Sequence, residues 1–182
     1  MAAKTLTIAE VLTQLAETPR RLAELTAGLR PAQLRTSPGG QEWSANEVLA
    51  HLRSCADVWG KSIATILAED RPRIRAVNPR AWIKTTNYPG LEFAPSLRAY
   101  TEQRAGLLSV LESMPPAGWT RAATVTRTGQ VVEWTVLFYT QRMAMHEGQH
   151  VDQVRSIVTA LRAAGGSRSR PLPPAGRSRS GS

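Results

Sequence analysis

The stretch VLFYTQRMAMHEGQHVDQVRSIVTALRAA, residues 136–164, carries the clearest structural signal in the chain. Apolar and aromatic side chains recur in it at helical spacing, and His146 and His150 lie four residues apart within the same pattern. This period predicts one long helix with a single buried face that includes both imidazoles. Thr135 suits the N-cap and Gly165 the C-terminal stop. The buried stripe consists of Tyr139, Met143, His146, His150, Val154, Ile157 and Leu161.

Three further segments repeat the helical pattern, and they predict an all-α four-helix bundle of the up-down type. Capping boxes precede two of them, at Thr7 with Glu10 and at Ser44 with Glu47. Pro19 is expected to kink the first helix or to cut it in two. The three predicted helices span residues 8–29, 45–69 and 95–114.

The segments between the helices have distinct compositions. Residues 71–93 form a long connection between the second and third helices, which is typical of a functional loop or of short additional helices. Residues 124–132, around Gly129, predict a small β-hairpin before the last helix. After residue 164 only Gly, Ser, Arg, Pro, Ala and Leu occur. We therefore expect a bundle domain over residues 1–164 and a disordered tail over residues 165–182.

The charge of the chain does not favour nucleic acid as a partner. Its net charge is +9, and four arginines of the tail account for part of that excess. The other basic residues alternate with acids and form no stripe with interleaved aromatics.

No signal peptide or apolar run of bilayer length occurs, so a cytoplasmic protein without membrane contact is expected. Cys55 is the single cysteine and is predicted to be a small buried hydrophobe.

The three histidines of the chain are candidates for one divalent-metal site. His51 lies at the edge of the apolar stripe of the second predicted helix and can face inward, towards His146 and His150. Buried imidazoles without partners would be costly, so a ligand or hydrogen bonds must compensate. Three nitrogen ligands leave a coordination position open, which is typical of catalytic metal sites. Histidines that are simply hydrogen-bonded in the core are the alternative.

The string His146-Glu147-Gly148-Gln149-His150 also fits the HExxH signature of zinc proteases. No histidine follows His150, and Asp152 is too close in sequence to act as a distant ligand, so a protease is not favoured. Glu147 is then either a general base towards water on the metal or a solvated or supporting residue. Gln153, three residues after His150, could orient a ligand or the bound water.

Three stretches taken together resemble the DinB/YfiT-like family of helical bundle proteins. The first is Glu42-Trp43-Ser44 with EVLAHL at residues 47–52, and the second is the connection over residues 71–88, which contains Trp82. The third runs from His146 to Val154 and includes Asp152 and Gln153. Their order and spacing cover nearly the whole chain before the tail.

The resemblance implies a DinB-like bundle that binds zinc or nickel through three histidines, which fall here on His51, His146 and His150. Members of the family include S-transferases and isomerases that use low-molecular-weight thiols such as bacillithiol or mycothiol, and also hydrolases; some form dimers. The resemblance therefore implies a metal-dependent enzyme with a small-molecule substrate; a non-catalytic stress or sensor protein is the alternative.

The sequence also offers candidate substrate-binding residues. Arg80 or Arg127 could hold a substrate carboxylate. The candidate pocket walls are Trp43, Trp59, Trp82, Tyr88, Trp134 and Tyr139.

Overall fold

The computed structural model describes residues 5–39 and 42–166, and most of them are helical. The predicted all-α four-helix bundle is confirmed. Its long helices are α1 (Ile8–Thr26), α3 (Ala45–Ala68), α5 (Phe93–Ser113) and α6 (Val136–Gly166), and two short ones are α2 (Pro31–Leu34) and α4 (Pro79–Trp82). None of the helices in these residues is long and apolar enough to cross a bilayer.

Both predicted capping boxes are present. The Thr7 hydroxyl accepts the backbone N–H of Glu10, and the Glu10 carboxylate accepts the backbone N–H of Thr7. Ser44 and Glu47 make the same reciprocal pair at the start of α3. Each pair provides hydrogen-bond acceptors for two backbone N–H groups that would otherwise have none at the start of a helix. A cap of this kind contributes about 1 kcal/mol to the stability of the fold. The second box fixes the start of α3 at Ala45, six residues before His51.

The helix boundaries differ from the predicted ones by a few residues. Helix α1 runs through Pro19 without a break, so of the two predicted effects this proline does not cut the helix in two, and the kink stays a prediction. It ends at Thr26 because Gly28 adopts a positive φ of 78°, which turns the chain out of the helix. Helix α5 begins at Phe93, before its predicted start, and α6 continues to Gly166. The remainder of the predicted disordered tail lies outside the described residues.

The packing order of the bundle brings α3 and α6 together. Helix α1 packs against α5 and α6, and α3 packs against the same two helices. Helices α1 and α3 therefore lie diagonally opposite each other, as do α5 and α6. Apolar side chains fill the space between them, and their removal from water drives the association. Fully buried members include Val11, Leu15, Leu22, Leu49, Leu52, Ile63, Ile66 and Met143.

The predicted β-hairpin is confirmed and belongs to a three-stranded sheet. Strands β2 (Ala122–Arg127) and β3 (Gln130–Thr135) pair antiparallel, with a turn in which Thr128 and Gly129 both have positive φ. Strand β1 (Arg73–Arg75) adds a parallel edge to β2, with Ile74 opposite Val125. The sequence did not indicate β1, because three residues are too few to show a period. The long connection also contains α4 and two 3₁₀ turns, so it carries short helices of its own.

A buried ion pair crosses the bundle from α5 to α6. The guanidinium of Arg104 donates to the carboxylate of Glu147, and only 2% of each side chain is exposed. A second guanidinium nitrogen of Arg104 lies 2.9 Å from the sulfur of Met143. Removing one partner from such a pair leaves an uncompensated charge in the core, whereas removing both does not.

We expect Arg104→Met to lower the free energy of unfolding by about 3–5 kcal/mol, because the Glu147 carboxylate then stays buried without its cation. Adding Glu147→Leu should recover most of that loss. Urea unfolding followed by circular dichroism measures both changes. Arg20→Ala is the matched control, since Arg20 and Glu24 form an exposed pair whose loss should cost at most about 1 kcal/mol. Equal losses for the two single variants would contradict this role of the buried pair.

Candidate metal centre

The structure brings the three histidines together in the bundle interior. His51 lies on α3 and is 6% exposed, while His146 and His150 lie on successive turns of α6. The Nε2 atom of His146 is 3.3 Å from Nε2 of His51 and 3.2 Å from Nε2 of His150. The ring centroids of His51 and His150 are 5.0 Å apart. Nε2 of His146 therefore lies between the ring nitrogens of the other two histidines, one from each of the helices α3 and α6.

Hydrogen bonds within this group cannot satisfy all three nitrogens. A neutral imidazole nitrogen either donates one hydrogen or accepts one, yet Nε2 of His146 faces two other ring nitrogens. A buried polar atom without a partner costs about 1–3 kcal/mol. In a tetrahedral zinc site with bonds of about 2.0–2.1 Å, neighbouring nitrogens lie about 3.3–3.4 Å apart. The observed spacings of 3.3 and 3.2 Å fit a shared cation.

Gln153 fixes the orientation of one imidazole. Its side-chain oxygen lies 2.7 Å from Nδ1 of His150. Because an amide oxygen only accepts, Nδ1 carries the hydrogen, and the lone pair of Nε2 is left to face the other histidines. The contact corresponds to the first of the two roles predicted for Gln153, orienting a ligand, and it has the form found behind metal-bound histidines in other proteins.

All three imidazoles are uncharged at neutral pH. Burial lowers the pKa of His51 to about 4, and the positive charges of His150 and Arg80 act in the same direction. Burial, followed by the charges of His150 and His51, lowers the pKa of His146 to about 3. Burial also lowers the pKa of His150. Their ring nitrogens are therefore available as neutral donors, which is the form that binds metals.

Two of the predicted wall aromatics contact the histidines directly. The ring of Trp43 stacks on His150 at a centroid distance of 6.1 Å and meets His51 edge-on at 5.1 Å. Trp59 meets His146 edge-on at 5.0 Å. In the described part of the chain, Nδ1 of His146 is buried without a hydrogen-bond partner, so packing against Trp59 sets the direction of this ring.

The other four predicted aromatics lie further from the histidines. Trp82 and Tyr88 donate hydrogen bonds to the carboxylate of Asp57. Trp134 packs edge-on against Tyr139 at a centroid distance of 5.1 Å. These two also line a cavity of about 270 Å³ on the Trp59 side of the site, with Arg127 and Arg142.

A larger cavity of about 540 Å³ opens beside His150. Trp43 and Gln153 line it next to the histidine, and the guanidinium of Arg80 stands at its wall, 5.3 Å from the Trp43 ring. Of the two arginines predicted as carboxylate-binding groups, Arg80 therefore shares a cavity with a histidine of the cluster. Arg127 lines the smaller cavity instead.

Glu147 is engaged elsewhere in the core. It follows His146 directly, so its side chain leaves α6 about 100° around the helix from that imidazole. Its carboxylate accepts from the Arg104 guanidinium, and burial raises the pKa of Glu147 while the charge of Arg104 opposes the rise. No pattern in the sequence indicated Arg104 as its partner. The general-base role of Glu147 stays a prediction.

Cys55 was not among the candidate site residues predicted from the sequence. It is buried, as predicted, but its sulfur lies 3.5 Å from Nε2 of His51. The donor atoms of His51, Cys55 and His146 all lie within 4.8 Å of one another. Burial, and secondly the charge of Glu147, raises the pKa of the Cys55 thiol to about 12. The spacing of four residues from His51 is the signal that could have indicated it.

Residues 14–154 match the DinB superfamily, and the chain belongs to this superfamily. A protein of Geobacillus thermodenitrificans named "Putative metal-dependent hydrolase" is 27% identical over 156 residues, which cover 82% of this chain and 83% of that protein. The fold is similar to a solved structure described as "YfiT from Bacillus subtilis is a probable metal-dependent hydrolase with an unusual four-helix bundle topology". The TM-score is 0.72 at 18% identity, and the match covers 91% and 93% of the two chains. The resemblance expected from the sequence is confirmed.

We expect acid to destabilise the metal-free protein. The folded-state pKa values of His51 and His146 lie below the ordinary value of 6.5, so below that pH the unfolded chain binds more protons. This stabilisation is complete above pH 6.5 and is lost as the pH falls towards 4, by up to about 1.4 kcal/mol per pH unit for each histidine. Urea unfolding between pH 6.5 and 5, after chelation, measures the slope.

The matched control for this slope is His146→Gln, which removes one of the titrating groups. Its free energy of unfolding should fall less steeply with acid than that of the unsubstituted protein. Contributions from carboxylates are common to both proteins and cancel in the comparison. Identical slopes would show that His146 does not titrate as its burial requires.

Proposed function

We propose that this chain is a divalent-metal-dependent hydrolase of small molecules, with His51, His146 and His150 as the protein ligands of the ion. The observation that carries the proposal is the convergence of three uncharged ring nitrogens at spacings of 3.3 and 3.2 Å. Neighbouring protein atoms offer these three nitrogens too few hydrogen-bond partners, whereas a shared cation would accept all three lone pairs. The descriptions of both similar proteins contain the words metal-dependent hydrolase, which supports the choice of reaction.

The donor set and its surroundings fit such an ion. Neutral imidazole suits zinc and nickel, the two metals we propose. A divalent ion bound there would supply a Lewis acid to a scissile bond and to water beside the cavity. Gln153 holds the His150 ring through Nδ1, and Trp43 packs on the same ring. These contacts fix the direction of Nε2 before any ion arrives, which reduces the cost of binding.

Arg104 and Glu147 have a positioning role in this proposal. Their ion pair ties α6 to α5 immediately next to His146, so it fixes the rotation of α6 about its own axis. The general-base role predicted for Glu147 is the alternative. Loss of the acidic limb in the pH profile of kcat/KM in a Glu147→Gln variant would favour that alternative over positioning.

The larger cavity indicates the class of substrate. Its volume of about 540 Å³ suits a small molecule, and it reaches the site at His150. Its wall carries one cationic side chain, Arg80, and one acidic side chain, Glu42. A guanidinium presents paired donors that match a carboxylate or phosphate. We therefore propose a substrate that carries an anionic group, held by Arg80 at a distance from the bond that is cleaved.

A thiol S-transferase is the second candidate function, because the same cavity and cation could hold a low-molecular-weight thiol and an electrophile. A non-catalytic metal-binding stress or sensor protein is the third. Consumption of a thiol with an electrophile panel identifies the second, and tight metal binding without any turnover identifies the third. A cytoplasmic location and a homodimer stay predictions.

We expect about one zinc or nickel per chain in protein purified without chelators or an affinity tag, measured by mass spectrometry. The variant with His146→Ala and His150→Ala should lose the metal, because two of its three proposed ligands are gone. The double variant with Gln149→Ala and Asp152→Ala is the matched control, since both of these residues are exposed on the same turns of α6. Metal-free protein that binds neither ion tightly on reconstitution would refute the proposal.

We expect the metal-loaded protein to hydrolyse members of a panel of esters, amides and phosphoesters, and the chelated protein to be inactive. Within the panel, Arg80→Gln should lower kcat/KM for anionic members by roughly 10–100-fold, the loss of one charge-assisted contact of about 1.5–3 kcal/mol. Neutral members should be affected little. Arg155→Gln is the matched control on an exposed arginine of α6 outside the cavity lining. Equal losses for neutral and anionic substrates would remove Arg80 from substrate binding.

A further inference from the structure

Cys55 lies one helical turn after His51 on α3, and it shares the buried face of that helix with the imidazole. Its sulfur is 3.5 Å from Nε2 of His51, the same nitrogen that faces His146. The three donor atoms of His51, Cys55 and His146 lie within 4.8 Å of one another. Cys55 therefore belongs to the convergent group and is more than a neighbour of one histidine.

The spacing of the sulfur fits a mixed ligand set. A tetrahedral ion with nitrogen bonds of about 2.0–2.1 Å and a sulfur bond of about 2.3 Å places a nitrogen and a sulfur ligand about 3.5–3.6 Å apart. The distance between Cys55 and His51 is 3.5 Å, and the two nitrogen–nitrogen distances are 3.3 and 3.2 Å. Each of these distances matches one edge of a coordination tetrahedron, and together they link the donors in the order Cys55, His51, His146 and His150. The donors that all lie within 4.8 Å of one another are those of His51, Cys55 and His146, so the His150 ring must move closer when the ion binds.

We propose that Cys55 is a fourth protein ligand of the metal ion, alongside His51, His146 and His150. The inference rests on the metal site of the proposed function and specifies its ligand set. On binding, the S–H bond breaks, the proton leaves to solvent, and the sulfur lone pair forms the bond to the ion. Four protein ligands complete a tetrahedral ion, so a substrate or water must either enter as a fifth ligand or displace the thiolate.

The competing interpretation is a hydrogen bond from the Cys55 thiol to His51. A thiol that donates to Nε2 of His51 occupies the lone pair that a metal would use, so the two arrangements exclude each other. A thiolate ligand also changes which ions the site prefers. Sulfur favours zinc, cobalt and copper over magnesium and manganese, which prefer oxygen.

Cobalt(II) titration of the metal-free protein, with a phosphine reductant so that no other thiol is present, tests the ligand set. We expect visible bands of a four-coordinate cobalt ion together with a near-ultraviolet thiolate-to-cobalt charge-transfer band, both saturating at one equivalent. The chain contains a single cysteine, so the charge-transfer band can arise only from Cys55. Cys55→Ser and Cys55→Ala should abolish that band and keep the visible ones.

The variants should also bind cobalt at least roughly tenfold more weakly, because even groups that only support a metal ligand contribute 10–100-fold. Thermal unfolding of the metal-free variants checks that they remain folded. Visible bands in the unsubstituted protein without a charge-transfer band would overturn the role of Cys55 and leave the three-histidine site intact. Absence of any bound cobalt would overturn the proposed function itself.

Discussion

The packing of α3 against α6 is the constraint on which the rest of the site depends. It buries His51 against His146 and His150, and the interior offers those ring nitrogens too few hydrogen-bond partners. Apolar packing along both helices must supply the free energy that buries the His51 ring and half-buries the rings of His146 and His150. Their lowered pKa values follow from the same burial. The uncharged state of the imidazoles and the free energy needed to bury them are thus both consequences of the contact between α3 and α6.

The diagonal arrangement of the helices explains how this interface can hold a polar centre. Helices α1 and α3 pack against α6 from its two sides, and α5, which lies diagonally opposite, contributes Arg104 to neutralise Glu147. On neighbouring turns of α6, the carboxylate of Glu147 pairs with a residue of α5, whereas the imidazoles of His146 and His150 face His51 of α3. The fold therefore gives polar side chains that are close in sequence separate environments, with the carboxylate towards α5 and the uncharged imidazoles towards α3.

Much of the architecture could be predicted from the sequence. The period of apolar residues indicated the four long helices, the capping boxes fixed two helix starts, and the spacing of His146 and His150 placed both rings on one face. Strand β1 could not be predicted, because its pairing with β2 depends on a segment fifty residues later. The partner of Glu147 and the placement of the Cys55 sulfur depend likewise on tertiary contacts, which local periodicity does not encode.

The separation of the histidines along the chain has a consequence for biogenesis. His51 and His146 are 95 residues apart, so the loop between them closes only when α6 has docked. During synthesis α6 emerges after every other helix of the bundle, and until then α3 exposes the face that carries His51 and Cys55. An ion that needs donors from both helices can be captured only after the bundle is complete. Occupancy of the centre would then report that the chain has reached its native topology.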